Sequence, residues 1–173
     1  MNDEQRRIRG YLVAQAAKLG PREIVDRIEA AMLQLRTAAE AVPPARFGEA
    51  PAPGEWSANE VMAHVVEAGR HFGAAIVRLL EGQPPGAPRD AAARDAAPRS
   101  FDTWWALLQQ DRAALFERAL GADPTARLDA TVEHPFFGPL TWRETLLFMR
   151  LHDLDHAGQL QKIAAALAPV RTA

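Results

Sequence analysis

The sequence contains no cysteine. Disulfide bonds, thiolate nucleophiles and thiolate metal ligands are therefore excluded, and a metal ion would have to bind histidine, aspartate or glutamate side chains. Long apolar runs are missing as well, since no window of the sequence approaches the roughly 18 consecutive apolar residues of a membrane-spanning helix. The first ten residues, MNDEQRRIRG, are charged and lack the apolar segment of a secretory signal. We therefore expect a cytoplasmic protein without a membrane partner.

An excess of one charge is also absent, because the formal net charge is −2 at pH 7 and the isoelectric point is near 6.2. Nucleic-acid-binding domains usually carry clustered lysine and arginine, so no nucleic-acid partner is expected. The sequence has neither a G-x-x-x-x-G-K-[ST] phosphate loop nor a G-x-S-x-G nucleophile elbow, which argues against ATP-dependent and serine-hydrolase chemistry. The 173 residues, 48% of them hydrophobic and many of these alanine, fit one helical domain.

Hydrophobic residues recur at helical spacing in five segments, and the breaks between the segments fall at glycine and proline. The first segment is short of core residues and predicts an accessory helix, whereas the other four predict long amphipathic helices that share one core. We therefore predict an all-α fold, with an accessory N-terminal helix in residues 1–20 and a four-helix bundle in residues 21–168. The five predicted helices cover residues 3–19, 21–42, 57–81, 101–120 and 141–167.

Two of the predicted helix starts carry a capping box, in which an N-cap hydroxyl and a glutamate three residues later bind each other's backbone N–H groups. Ser57 and Glu60 form one box, and Thr141 and Glu144 form the other. Both glutamates lie on the histidine-bearing face of their helix and could be considered as metal ligands. Because the capping box already explains them, we predict that they cap their helices instead.

Two connections between the core helices are long. The proline-rich segment 82–100 can span the length of a helix at about 3.3 Å per residue, which allows the second and third core helices to run in the same direction. The segment ADPTARLDATVEHPFFGPL precedes the last helix and contains too many breakers for a sheet. We predict a loop there, with at most a small hairpin.

The stretch LHDLDHAGQL in the last helix places His152 and His156 four residues apart. Side chains at this spacing lie on the same face, about 6 Å apart along the helix axis, so both imidazoles can bind one ion. His64, among apolar residues of the second core helix, is the candidate for the third ligand. Three histidines leave coordination positions for water or substrate, which is typical of a reactive site. The alternative is a polar helix face without a metal.

Two aspartates lie between the paired histidines. Asp153 and Asp155 could each accept a hydrogen bond from a ring N–H or act as a general base. The two remaining histidines are less suited as ligands. His71 lies about 10 Å from His64 along the same helix and is expected at the mouth of a pocket or hydrogen-bonded to a neighbour. His134, in a loop rich in proline and glycine, is expected to be an ordinary loop residue, with a substrate contact as the alternative.

Taken together, the motif W-S-x-x-E-x-x-x-H at residues 56–64, the segment HPFFGPLTWRE and the motif H-D-x-x-H at residues 152–156 resemble the DinB/YfiT-like metalloprotein superfamily over roughly residues 22–167. The resemblance implies a bundle of up-down-down-up topology, frequent homodimers, and one divalent metal ion (nickel, zinc, manganese or iron) on His64, His152 and His156. Known relatives include transferases that use low-molecular-weight bacterial thiols, a mycothiol-dependent maleylpyruvate isomerase and proteins described as metal-dependent hydrolases.

The leading hypothesis is a metal-dependent enzyme that activates a thiol or a water molecule for attack on a small-molecule substrate. Transfer of a low-molecular-weight thiol is the first choice, and hydrolysis is the second. A different functional class is also possible, namely a non-catalytic, stress-associated protein that binds a metal or a ligand. The third possibility is a structural or interaction domain without a metal. The sequence does not select the metal, because three imidazoles accept most first-row divalent ions.

Overall fold

A computed structural model describes residues 1–87 and 97–168 of the chain. These residues form five α-helices and a two-stranded hairpin, which confirms the predicted all-α fold, and the observed helix ends differ from the predicted ones by at most two residues. Residues 88–96, in the predicted connection 82–100, lie outside the described part. Within the described part, no helix combines the length and the apolar character needed to cross a bilayer. The helices are α1 (Asp3–Lys18), α2 (Pro21–Glu40), α3 (Ala58–Leu80), α4 (Phe101–Gly121) and α5 (Trp142–Ala166).

Both predicted capping boxes are present. At the start of α3, the backbone N–H of Ser57 donates to Oε2 of Glu60 over 2.7 Å, and the Glu60 N–H donates to the Ser57 hydroxyl over 3.3 Å. At the start of α5, the backbone N–H of Thr141 donates to Oε2 of Glu144 over 2.9 Å. Each glutamate is therefore engaged by its own helix start, as the sequence predicts.

Contacts along α3 and α4 show that these two helices are parallel. Near both N-termini, Nε1 of Trp104 donates to Oδ1 of Asn59 over 2.8 Å. Further along both helices, Gly73 faces Leu115, and a Cβ atom built on this glycine would lie 3.5 Å from the leucine. The long connection thus allows the two consecutive helices to run in the same direction.

A second parallel pair consists of α2 and α5, which make the most extensive contact in the bundle. Arg143 at the start of α5 donates to the backbone oxygen of Leu19, just before α2, whereas Arg46 after α2 donates to the oxygen of Leu167 at the end of α5. Because α5 runs antiparallel to α3, with Phe72 against Phe148 and the earlier His64 against the later His152, the topology is up-down-down-up.

The accessory helix α1 packs against α5 outside the four-helix bundle. Leu12 is its fully buried anchor, Tyr11 accepts a hydrogen bond from Arg150, and Arg9 approaches the oxygen of Pro139 over 3.5 Å. The division of the chain into two units at residue 20 remains a prediction.

The loop before α5 contains the small hairpin that the sequence allowed. Strand β1 (Val132–His134) pairs antiparallel with strand β2 (Gly138–Leu140), with His134 opposite Gly138. Gly138 has a φ of +69°, a conformation that favours glycine, and this permits the tight turn. The turn ends β1 with the His134 side chain buried rather than in solvent.

Candidate metal centre

The three histidines proposed as ligands converge between α3 and α5. Their ring centroids lie 5.1 Å apart for His64 and His152, 4.9 Å for His64 and His156, and 4.4 Å for His152 and His156. Nε2 of His152 is 3.1 Å from Nε2 of His64. One ligand atom from each residue can be chosen so that all three atoms lie within 4.8 Å of one another. The antiparallel packing of α3 on α5 therefore brings together residues that the sequence separates by almost 90 positions.

Hydrogen bonding indicates which ring nitrogen of His156 is available as a ligand. Nδ1 of His156 lies 2.9 Å from Oε1 of Gln159, which accepts the ring N–H. In the neutral ring, the second nitrogen then carries the lone pair and is the potential ligand. Gln159 stands one helical turn after His156, so α5 itself fixes the ring orientation.

The geometry and the chemistry of these donors fit a divalent cation. Metal–nitrogen bonds of about 2.0–2.1 Å at tetrahedral or octahedral angles separate two ligand nitrogens by roughly 2.9–3.4 Å. The distance of 3.1 Å between Nε2 of His64 and Nε2 of His152 falls in this range, and the ligand atoms of all three histidines lie within 4.8 Å of one another. With only three protein ligands in the cluster, an ion bound there would keep positions for other molecules.

Electrostatics keep His156 in the form that binds metals. Burial lowers the pKa of His156, and positive charge on His152 acts in the same direction. The hydrogen bond that His156 donates to Gln159 and the nearby carboxylates of Asp155 and Asp153 oppose this effect without reversing it. His156 is therefore neutral at pH 7, and a metal ion does not have to displace a proton from it.

Two aromatic side chains flank the histidines. The ring of Trp56 lies edge-on to His64 with the centroids 5.2 Å apart, and the ring of Phe148 lies 5.7 Å from that of His152. Both aromatic residues are half-buried, and 14% of the His152 side chain is exposed. The cluster thus lies near the surface between apolar walls. Trp56, the residue before the N-cap of α3, thus lies beside the site.

The two aspartates of the sequence motif have different surroundings. Asp153 is fully buried, and Oδ1 lies 3.9 Å from Nδ1 of the adjacent His152. Asp155 is exposed to solvent and is not part of the histidine cluster. It acts on the site through the electrostatic effect on His156.

Arg112 of α4 is a residue of this region that the sequence analysis missed. Nη2 of this arginine donates to both carboxylate oxygens of Asp153, over 2.9 and 3.1 Å, and both side chains are nearly inaccessible to solvent. The guanidinium also packs against Gly69 of α3, where a Cβ atom would lie 3.7 Å from Cζ. The sequence could have indicated that this arginine is buried, because Arg112 lies on the apolar face of α4 between Leu108 and Leu115.

The other two histidines lie outside the cluster. The ring of His134 stacks on Phe137 with the centroids 4.6 Å apart and on Phe72 at 5.4 Å, and it meets the edge of Phe148 at 4.3 Å. Burial lowers the pKa of His134 to about 4, and positive charge on His152 contributes to this shift.

Nδ1 of His134 accepts the backbone N–H of Phe136 over 3.2 Å, which closes the hairpin turn. This arrangement favours a structural role for His134 over a substrate contact. His71 is half-buried against Phe72, with the ring centroids 5.2 Å apart.

Comparison with known proteins places this site in a family. The family model of the DinB superfamily matches residues 27–160, which include all three converging histidines. The chain is also similar to the crystal structure of TT2238, described as a four-helix bundle protein, with 27% sequence identity and a TM-score of 0.64. That similarity covers 82% of this chain and 98% of TT2238. A comparison with curated proteins found no match. Because the family model covers most of the chain, the protein belongs to the DinB superfamily.

Proposed function

We propose that this protein is a metal-dependent enzyme that activates a low-molecular-weight thiol for transfer to a small electrophilic substrate. The observation that carries the proposal is the convergence of three imidazole nitrogens from α3 and α5 within 4.8 Å. His64, His152 and His156 would hold one divalent cation of nickel, zinc, manganese or iron. Such a cation lowers the pKa of a bound thiol or water molecule and so supplies a nucleophile at neutral pH.

The side chains that surround the three histidines suit the site for this chemistry. Gln159 orients the ring of His156 through the hydrogen bond to Nδ1, and burial keeps that ring neutral. Trp56 and Phe148 provide apolar surfaces on the two sides of the cluster, where they can bury the apolar part of a substrate and exclude water. A substrate held against these rings would displace water from the cluster, which favours thiol transfer over hydrolysis.

The two aspartates would take different roles. Both oxygens of Asp153 accept hydrogen bonds from Arg112, an arrangement that suits a fixed negative charge behind His152. Asp155 is exposed beside His156, so it can exchange a proton with solvent, and we propose it as the general base. An Asp155→Asn variant should then lose turnover while it retains the metal.

The experiment compares thiol transfer with hydrolysis on the same protein. Untagged protein is loaded separately with zinc, nickel, manganese or iron(II) and is then given mycothiol, bacillithiol or glutathione together with a chromogenic aryl halide. A parallel reaction contains a chromogenic ester without thiol. We expect turnover that requires both a metal and a thiol, that is lost in His64→Ala, and that persists in Gln161→Ala, an exposed position on α5.

Two other results would contradict this proposal in different ways. Ester hydrolysis that needs the metal but no thiol would assign the site to a hydrolase. Metal binding without turnover on either substrate class would favour the non-catalytic binding module.

A further inference from the structure

The buried ion pair between Arg112 and Asp153 lies directly behind the histidine cluster. The exposed fractions of the two side chains are 3% and 0%. Replacement of a buried pair by apolar residues is often neutral or stabilising in proteins, so fold stability alone does not account for such a pair. Its position next to His152 suggests a role in the site.

All hydrogen bonds that the structure gives to the Arg112 guanidinium go to Asp153. Nη2 donates to both carboxylate oxygens, whereas Nε and Nη1 are buried and have no acceptor within residues 1–87 and 97–168. Gly69 on α3 leaves room for the guanidinium to lie against the helix. The arginine is therefore held in place by packing, and its polar contact is directed at one carboxylate.

The same carboxylate faces His152. Oδ1 of Asp153 accepts the shorter bond from Arg112, at 2.9 Å, and it is also the oxygen that lies 3.9 Å from Nδ1 of His152. At this distance the contact is electrostatic rather than a direct hydrogen bond. A negative oxygen near Nδ1 favours the neutral tautomer with its proton on Nδ1, and it leaves the lone pair on Nε2. Nε2 is the atom that faces His64.

We propose that Arg112 is a positioning residue that fixes Asp153, and that Asp153 in turn selects the Nδ1-protonated tautomer of His152. The inference rests on the proposed function insofar as Nε2 of His152 is taken as the metal ligand. It assigns a purpose to a residue on α4, a helix that contributes no ligand. The selection occurs before a metal binds and does not change the net charge of the ring.

The test uses variants that remove the pair as a unit, because loss of one partner leaves a buried charge. The first double variant, Arg112→Met/Asp153→Leu, replaces the pair with apolar side chains. The second, Arg112→Gln/Asp153→Asn, replaces it with neutral polar side chains and serves as the alternative if the first does not fold. The control is Arg70→Gln/Asp111→Asn, which removes the exposed pair between α3 and α4, where Nε of Arg70 donates to Asp111 over 2.7 Å.

Two readouts separate the role of the pair from the role of the metal. Nitrogen-15 NMR of the imidazoles in the metal-free protein reports the tautomer of His152, and titration with zinc reports the affinity. We expect the parent and the control to show protonated Nδ1. In the two test variants we expect a shift toward protonated Nε2 and a loss of zinc affinity of about 10- to 100-fold, while cooperative unfolding is retained.

An unchanged His152 tautomer in a folded test variant would overturn the inference, as would zinc affinity equal to that of the parent in a protein that binds zinc. If the parent binds none of zinc, nickel, manganese or iron(II), the proposed function fails, and the tautomer measurement still decides whether Arg112 and Asp153 orient His152.

Discussion

Nε2 of His152 lies 3.1 Å from Nε2 of His64, although the two residues stand on different helices, 88 positions apart in the sequence. The contact depends on the antiparallel packing of α5 on α3, so it is a property of the tertiary fold. Two lone pairs directed at each other repel, and the contact is favourable only if a proton or a cation lies between the nitrogens. In the absence of a cation, a neutral ring with its proton on Nε2 donates to the other nitrogen, and a metal ion can take the place of this proton.

Acid should destabilise the protein through His134. The folded-state pKa is about 4, below the value of 6.5 in the unfolded chain, so the unfolded chain binds more protons between these pH values. The stability contributed by neutral His134 is complete above pH 6.5 and is lost as the pH falls toward 4, to a total of about 3 kcal/mol. Chemical unfolding of the metal-free protein at pH 7 and pH 4.5 measures this loss.

A His134→Phe variant is the control for that measurement, because phenylalanine can also stack on Phe72 and Phe137 without titrating. The variant should lose less free energy of unfolding than the parent over the same pH interval. Equal losses in both proteins would show that other groups cause the acid sensitivity.

Asn59 joins the start of α3 to the start of α4, and removal of the amide oxygen should weaken this junction. Oδ1 of Asn59 accepts the indole N–H of the buried Trp104 and the backbone N–H of Arg99, over 2.8 and 3.0 Å. An Asn59→Leu variant leaves both donors without this acceptor and should lose about 1–3 kcal/mol of unfolding free energy in urea. Asn59→Asp keeps an acceptor oxygen and should lose less. If both variants lose the same amount, the acceptor is not the cause.

Gly158→Ala should stabilise the protein. Gly158 lies inside α5, and a Cβ atom there would meet no atom within 4 Å, so alanine gains helix propensity without a clash. The expected gain is about 0.5–1 kcal/mol, measured as a higher denaturant midpoint. Gly82, just after α3, is the control position, because its φ of +77° disfavours any residue with a Cβ atom. Gly82→Ala should lose about 1 kcal/mol because of strain. Stabilisation at both positions would contradict this explanation.

Local sequence signals predicted the helices well, because the interactions that start a helix are local. Ser57 with Glu60 and Thr141 with Glu144 are three residues apart, so the capping boxes can be recognised without knowledge of the fold. The same applies to the facing side chains of His152 and His156, which follow from helical spacing alone.

The surroundings of the site could not be predicted in this way. A helical wheel gives the angle between Asp153 and Asp155 but not which of them faces a neighbouring helix, and only packing shows that one is buried and the other exposed. Likewise, the partner of Arg112 lies 41 residues away on another helix. A charged residue in the apolar stripe of α4 could have indicated a buried ion pair, although not its partner.

The most direct test of the central claim is elemental analysis by inductively coupled plasma mass spectrometry on protein purified without a histidine tag. The parent is measured beside His64→Ala, His152→Ala and His156→Ala, each reconstituted with zinc, nickel, manganese or iron(II) and then desalted. The account predicts close to one equivalent of a divalent metal in the parent and loss of this metal in all three variants. Absence of metal from the reconstituted parent, or full retention in any one of the variants, would contradict it.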